Sequence, residues 1–398
     1  MLVQFSLKNF LSFKDEAVLD MTAINAYKEH EYNLIDLDMK EKYLKVAAIY
    51  GANASGKSNL FLAFYYFQKM LTESFNNVSG DDLKTIEVCY MPFKFDEDNE
   101  NTEFEVVEIL DGYEYKYGFE YNDKNIVAEW MYRKNIETNR KTTVFERYGN
   151  GSIDFGAVVR KECDMYKEQI PPETLVLSFF NKLKLKTDIF KSVYGGIMDT
   201  LVMDTDFYED LGLIEKLLPR VIDDSKESLL NFLDAIDIGI KDIWHKKEKD
   251  EEQFFTVHKD KNGNCYDLSL FNESEGTIKS ITIFLCARTA VSLNKSMLID
   301  ELNVKLHPLL LKFIIDLFYE KTSKAQLIYT THDTTLLDRR FFRRDQIWFV
   351  QKDDMGHSEL SALSDFKVRP DASFEKDYLS GVYGGIPLLK EFNLKAGE

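Results

Sequence analysis

Lys57 and Ser58 close a run, Gly51-Ala52-Asn53-Ala54-Ser55-Gly56-Lys57-Ser58, that fits G-x-x-x-x-G-K-[ST] at every fixed position. In a glycine-bounded loop of this kind the backbone N–H groups point inward and bind phosphate oxygens at a helix N-terminus. Gly51, Asn53, Gly56, Lys57, Ser58 and Asn59 would then form a nucleotide cradle. Lys57 would reach the β- and γ-phosphates, and the Ser58 hydroxyl would hold Mg²⁺. The competing reading is a chance match in a turn. The apolar strand pattern before the loop, Val46 to Tyr50, and the helical pattern after it supply the context that the motif requires.

Two further groups lie far along the chain. Met297-Leu298-Ile299-Asp300-Glu301 is an apolar strand ending in two carboxylates. Asp300 would bind Mg²⁺, usually through water, and Glu301 would polarise the attacking water as general base. Alone, this could be a strand with a solvated acidic end; coupled to Lys57 it points to phosphoryl chemistry. Gln326-Leu327-Ile328-Tyr329-Thr330-Thr331-His332-Asp333 follows, one βα unit later. A lone His is more often structural, but His332 falls where a γ-phosphate contact is needed and could sense which nucleotide is bound. Ser274-Glu275-Gly276 precedes a helix, and a Ser and a Gly two apart at a helix start make an anion site. Since the P-loop already holds the triphosphate, a second anion site makes sense if it closes on the nucleotide of another subunit.

The elements that must position these groups follow from the patterning. Residues 1–50 read as short strands, with Val3, Phe5 and Leu7 on one face. Asn59 to Phe75 reads as a helix with Leu60, Ala63, Phe64, Phe67 and Leu71 on its core face. Residues 84–150 alternate like an antiparallel sheet, with a hairpin signal at Asp111-Gly112. Pro171-Pro172 marks the entry to a helical insertion over 157–240, without sustained heptads. Residues 241–275 return to strand-like sequence with a turn at Asn262-Gly263-Asn264. Beyond them, helices at Thr277–Leu293 and 308–319 alternate with strands at Ser296–Ile299, 326–330 and 346–350, as in a parallel P-loop sheet. The domains expected are 1–156 (an ATPase lobe with the P-loop and antiparallel sheet), 157–240 (helical insertion), 241–350 (the second ATPase lobe) and 351–398 (a tail and candidate partner contact).

Composition bounds the class. The chain has 398 residues, 44% hydrophobic and 30% charged, with a formal net charge of −18. Coating a duplex usually takes a basic protein, so any nucleic-acid contact would be local or made by a partner. No apolar run approaches the ~20 residues that span a bilayer, and no signal peptide is visible. The four cysteines, Cys89, Cys163, Cys265 and Cys286, are isolated and form no CxxC pair. A reducing cytoplasm is the expected compartment.

The order of P-loop, Ser-x-Gly helix start, Asp-Glu strand and Thr-His-Asp strand resembles the ABC-type ATPases. Within these it is similar to the SMC, RecF and OLD group of P-loop ATPases, and Phe5-Ser6-Leu7-Lys8-Asn9-Phe10-Leu11-Ser12-Phe13-Lys14 looks like that group's N-terminal strand and turn. The stretch from Asp345 to Val350, then Ser361 to Phe366, then Tyr383-Gly384-Gly385-Ile386-Pro387, resembles bacterial RloA-type (AbiLi-type) ATPases of the AAA family. The resemblance implies an α/β fold: an ABC-type P-loop ATPase head with an antiparallel β subdomain and an α-helical insertion. It implies ATP and Mg²⁺ as ligands, and anti-phage defence as the setting. The implied partners are a second copy of the chain, in a dimer or higher oligomer with ATP at the interface, and a separately encoded effector (RloB-like, or a nuclease or toxin).

Under the resemblance Ser274 and Gly276 match the signature motif that binds ATP across a head-to-tail dimer, and His332 matches the switch histidine. Glu275 stands where transporters usually carry a second Gly. No Q-loop glutamine is secure; Tyr90-Met91-Pro92-Phe93 occupies the expected region and Gln68 lies on the preceding helix. Leu302 to Pro308 fits the D-loop position, with His307 capping or packing against the next helix. Nucleic acid is a further candidate partner, through Arg339, Arg340, Arg343 and Arg344 or through Lys182, Lys184 and Lys186, although a solvated face is the plainer reading of each. The main functional alternative is a RecF- or SMC-like DNA-repair or DNA-binding ATPase. An OLD-type nuclease would need a Toprim domain, for which too few residues follow 335. A GTPase is disfavoured because Asn181-Lys182-Leu183-Lys184 lacks the guanine-reading Asp.

Overall fold

The computed structural model describes residues 1–75, 85–95, 100–203, 211–236, 239–248, 251–304, 306–369 and 372–386. Strands β1 (Leu2–Lys8) and β2 (Ala17–Asp20) open the chain, then the short pair β3 (Leu34–Ile35) and β4 (Tyr43–Leu44), then β5 (Val46–Tyr50) and helix α1 (Lys57–Glu73). After α2 (Thr85–Cys89) come β6 (Thr102–Leu110), β7 (Tyr113–Tyr121), β8 (Ile126–Asn135), β9 (Lys141–Arg147) and β10 (Ile153–Phe155). The span 157–240 contains α3 (Arg160–Cys163), α4 (Val176–Asn181), α5 (Ile189–Met198), the strand β11 (Leu201–Met203) and α6 (Leu211–Ala235), which is broken at Ser225. Next are β12 (Asp242–Glu248), β13 (Glu251–Lys259), β14 (Cys265–Ser269), α7 (Glu275–Leu293) and β15 (Ser296–Ile299). The last elements are α8 (Pro308–Phe318), β16 (Gln326–Thr331), β17 (Ile347–Lys352), β18 (Ser358–Ala362) and α9 (Phe374–Leu379).

A central sheet in the order β11-β15-β16-β5-β17-β18 organises the molecule. Its strands are parallel except β18, which runs antiparallel to β17. Both faces are covered, which is why these strands read as continuous apolar runs. Ala47, Ile49, Leu298, Ile328, Trp348 and Val350 face one core. Val46, Ala48, Met297, Leu327, Ile347 and their period-two neighbours face the other. The edge strand β11 lies in the stretch read from sequence as helical, and pairs in parallel with β15 through Leu201, Val202 and Met203.

The first core is filled by α1 and a seven-stranded antiparallel sheet, β10-β9-β8-β7-β6-β1-β2. Its hairpin turns at Asp111 (φ 48) and Gly112 (φ 78), the two left-handed residues that a tight turn between twisted strands requires. Leu60, Ala63, Phe64, Phe67 and Leu71 of α1 are all buried. The Phe5 and Phe64 ring centroids lie 4.8 Å apart, and Phe67 stacks on Phe119 at 5.5 Å. Each such ring contributes on the order of 1.5–3 kcal/mol by leaving water, which fixes α1 and hence the loop before it. The second core packs α6, α7 and α8 on the other face. Helix α7 is long and apolar enough to cross a membrane, but 67% of that window is buried inside the fold.

Candidate functional site

The P-loop motif, the acidic pair and His332 leave the same end of the central sheet. Pairing of Ile299 with Tyr329, and of Thr331 with Tyr50, brings Asp300 level with Thr330 and sets Gly51 beside His332 at the C-terminal ends of three adjacent parallel strands. Crevices at this end are where open α/β sheets bind ligands.

Residues 51–56 form the turn between β5 and α1. Ala54 (φ 62) and Gly56 (φ 112) both adopt left-handed conformations. A Cβ added at Gly51 would lie 2.5 Å from the Val350 carbonyl oxygen, and one at Gly56 2.3 Å from Ser358 Oγ, so neither position tolerates a side chain. Lys57 is buried, and its ammonium donates to the carbonyl oxygens of Gly51 (2.8 Å) and Ala52 (2.9 Å). Burial pushes the Lys57 pKa below its ordinary value, while the carboxylates of Asp300 and Glu301 pull it back up.

Thr330 organises the acidic pair, a role the sequence did not suggest. Its Oγ1 accepts from the Glu301 backbone N–H at 2.7 Å and donates to Asp300 Oδ1. Asp300 is buried, and Glu301 is a non-glycine residue at φ 47. Such a backbone costs on the order of 1–3 kcal/mol and persists where its surroundings hold it. The chain then turns through buried Leu302, whose N–H donates to the Thr330 carbonyl at 3.1 Å. Asn303 Oδ1 accepts from Thr331 Oγ1 at 2.8 Å, and its Nδ2 lies 3.3 Å from His332 Nε2. His332 is exposed, with one ring nitrogen on Asn303. His307 caps α8, its Nδ1 accepting from the Leu309 N–H at 3.2 Å. Lys305 lies outside the described residues.

Ser274 and Gly276 lie at the start of α7, not at the strand ends that carry the P-loop and the acidic pair. Ser274 is the exposed N-cap of α7, and its Oγ accepts from the Thr277 N–H at 3.1 Å. The Gly276 carbonyl accepts from Ser280 Oγ at 2.7 Å. The preceding Glu273 is held on β13 by His258 Nε2 (2.6 Å) and Thr256 Oγ1 (2.5 Å). The described hydrogen bonds of Ser274 and Gly276 therefore stay within α7, and none joins them to the P-loop of the same chain.

Other side chains singled out from the sequence divide between contacts within the fold and an exposed surface. Gln68 Nε2 donates to the carbonyls of Ile197 (2.8 Å) and Thr200 (2.9 Å), which ties α1 to the segment before β11. Arg343 is fully buried, paired with Asp345 at 2.8 Å and donating to the carbonyls of Ile24, Tyr27 and Glu29, so it is not available to phosphates. Arg340 pairs with Asp338, and Arg344 with Glu29. Lys182, Lys184 and Lys186 are exposed, while Leu183 and Leu185 between them pack on the core. The glycine-rich tail packs inward: Tyr378 and Tyr383 stack on Phe349, both at 5.3 Å, and a Cβ at Gly385 would lie 3.7 Å from Gly51 Cα. Pro387 and the residues after it lie outside the described ones.

The chain's own residues fit a nucleoside triphosphate. Ser55 Oγ is buried beside Gly51 and, among the described residues, has no hydrogen-bond partner. Among the described residues, the backbone N–H groups of Gly56, Lys57 and Ser58 also have no acceptor. Together with Lys57 these donors would meet an anion. No three His, Cys, Asp or Glu residues converge on a metal position among the described residues. Mg²⁺ suits that arrangement, since it is commonly held by one or two protein oxygens plus phosphate and water; Asp300 and the exposed Ser58 would supply them.

The sequence profile of the family described as "AAA domain, putative AbiEii toxin, Type IV TA system" matches residues 46–338. No match was found among curated proteins. Among solved structures, the chain is similar to an SMC head domain from Thermotoga maritima, at 16% identity and a TM-score of 0.41, over 91% of this chain and 98% of that one. It is also similar to an SMC head bound to the C-winged helix domain of ScpA, at 14% identity and a TM-score of 0.43, over 95% of this chain and 99% of that one.

Proposed function

The chain belongs to the AbiEii-type AAA-domain family, and from that premise we propose that it is a Mg²⁺-dependent, ABC-type ATPase whose dimer closes on ATP to gate a separately encoded effector in anti-phage defence. The observation that carries this reading is that the P-loop, His332 and the Asp300–Glu301 pair follow the C-terminal ends of three neighbouring parallel strands, β5, β16 and β15, at one end of the central sheet. Lys57 exchanges its contacts with the Gly51 and Ala52 carbonyls for phosphate oxygens. Glu301, turned out of the strand by its left-handed backbone, accepts a proton from the attacking water. His332 contacts the γ-phosphate and relays its presence to Asn303 and the turn after Glu301. Mg²⁺, which Asp300 and Ser58 would hold, would supply charge neutralisation for the phosphates.

The second half of the site comes from another copy of the chain. Ser274 is exposed at the start of α7 and makes its described hydrogen bonds only within that helix, which supports its use across a head-to-tail interface. The cytoplasm is the compartment this reading requires. Glu301→Gln is expected to lose hydrolysis and accumulate as an ATP-bound dimer, measured by light scattering with and without Mg-ATP. Hydrolysis at the wild-type rate would rule Glu301 out as the base. For the cellular role, Lys57→Ala is expected to abolish protection against phage when expressed with the adjacent gene product; undiminished protection would refute it.

A RecF- or SMC-like DNA-binding ATPase is the alternative, and one observation favours it: the row of exposed Lys182, Lys184 and Lys186. It predicts tight DNA binding by the isolated protein with a steep salt slope, reduced when those lysines are replaced.

A further inference from the structure

We propose that Ser12 and Ser358 are positioning residues for nucleotide binding: with Asn59 they form a hydrogen-bond cluster that turns the Ser55–Gly56 peptide so that its N–H faces the phosphate site. This rests on the reading of residues 51–58 as an ATP cradle and names what holds that cradle in its binding conformation.

Ser12 lies in the turn after β1, and Ser358 opens β18 at the edge of the central sheet. Both are buried and meet over the P-loop. Asn59 Nδ2 lies 2.7 Å from Ser12 Oγ, Ser12 Oγ 2.7 Å from Ser358 Oγ, and Ser358 Oγ 2.6 Å from the Ser55 carbonyl oxygen. Each hydroxyl has a single proton, and a carbonyl oxygen can only accept. The single proton of Ser358 is therefore shared between the Ser55 carbonyl and Ser12 Oγ, and Ser12 Oγ also accepts from the amide of Asn59. Ser12 Oγ thus joins the Asn59 amide to the Ser358 hydroxyl and helps hold that hydroxyl beside the Ser55 carbonyl. The Ser358 backbone N–H adds a second tie, to the Ser12 carbonyl at 2.7 Å.

The consequence follows from the geometry of one peptide. In a planar trans peptide the carbonyl oxygen and the next N–H point in opposite directions. Because Ser55 O is held toward Ser358, the Gly56 N–H points away from it, and it has no acceptor among the described residues. The hydroxyls also sit where a Gly56 side chain would be, at 2.3 Å (Ser358) and 2.8 Å (Ser12) from a hypothetical Cβ. Gly56 at φ 112 has the conformational freedom to flip this peptide, and the serine cluster is what prevents it.

The test is steady-state ATPase kinetics on the full chain, with Ser12→Ala, Ser358→Ala, the double variant and Lys57→Ala. An N–H that binds phosphate equally in the ground and transition states affects KM alone. Each serine variant is therefore expected to raise KM for ATP about tenfold, with kcat within about twofold of wild type. A serine that only supported packing would lower stability without this split. Because both variants dismantle the same cluster, the double variant should be about as impaired as either single one. If Lys57→Ala is inactive as expected but both serine variants keep a wild-type KM, or lose kcat instead, the inference is wrong and the ATPase reading stands. If the wild type neither binds nor hydrolyses ATP, both fall.

Discussion

Replacing Thr330 with Val tests whether one hydroxyl holds the acidic pair in place. The two side chains are nearly the same shape and both suit a strand, so the change removes hydrogen bonds and little else. Thr330 Oγ1 serves the Glu301 N–H at 2.7 Å and donates to the Asp300 carboxylate. An ordinary hydrogen bond is worth about 0.5–1.5 kcal/mol net and one to a charged group about 1.5–3. The expected loss is therefore about 2–4 kcal/mol of folding stability in nucleotide-free protein, read from urea denaturation. Glu301 would also lose a constraint on its φ 47 backbone, so kcat should fall more than KM rises. Thr330→Ser keeps the hydroxyl and should recover at least half of both losses. If Thr330→Val is as stable and as active as wild type, or if the Ser variant is as impaired as the Val variant, this account of the pair is wrong.

Three other expectations concern residues away from the nucleotide. Burial holds the Glu108 carboxyl at about 7 instead of its ordinary 4.5, so the folded protein keeps a proton there that the unfolded chain loses. Its contribution to stability is complete below pH 4.5 and is lost as pH rises through about 7; Glu108→Leu should therefore gain ~3 kcal/mol at pH 8 relative to wild type and flatten the pH dependence of urea stability. Gln68→Ala should cost roughly 1–2 kcal/mol through its two lost carbonyl contacts and leave kcat unchanged; a large drop in kcat would restore Gln68 as a nucleotide contact. Arg343→Ala leaves Asp345 buried and unpaired and should cost about 3–5 kcal/mol, whereas exposed Arg340→Ala should be nearly neutral in the same denaturation assay.

What the sequence made legible was local. The strand before Gly51, the helix after Gly56 and the alternation of β15, α8 and β16 are each encoded in contiguous residues, and the structure places them within a residue or two of the expected bounds. What it hid depends on contacts between distant segments. Leu201–Met203 is three apolar residues beside helices; only pairing with β15 makes it a strand. Thr330 is an unremarkable strand residue until Asp300 and Glu301 arrive from 30 positions away. Ser12 and Ser358 are 346 residues apart and carry no spacing signal at all. The arginines after His332 look alike in sequence, yet Arg343 is buried by the 24–29 loop that wraps it and Arg340 is exposed. A charge run does not say which of its members faces solvent.

The central claim is that a catalytic site needs Lys57 from one chain and Ser274 from another. Its most direct test is the ATPase activity of Lys57→Ala and Ser274→Arg proteins, each alone and then mixed. Each alone should be inactive. The mixture should recover activity, because a mixed dimer pairs the intact P-loop of the Ser274→Arg chain with the intact Ser274 of the Lys57→Ala chain. Wild-type turnover by Ser274→Arg alone would show that the site is complete within one chain and would contradict the account.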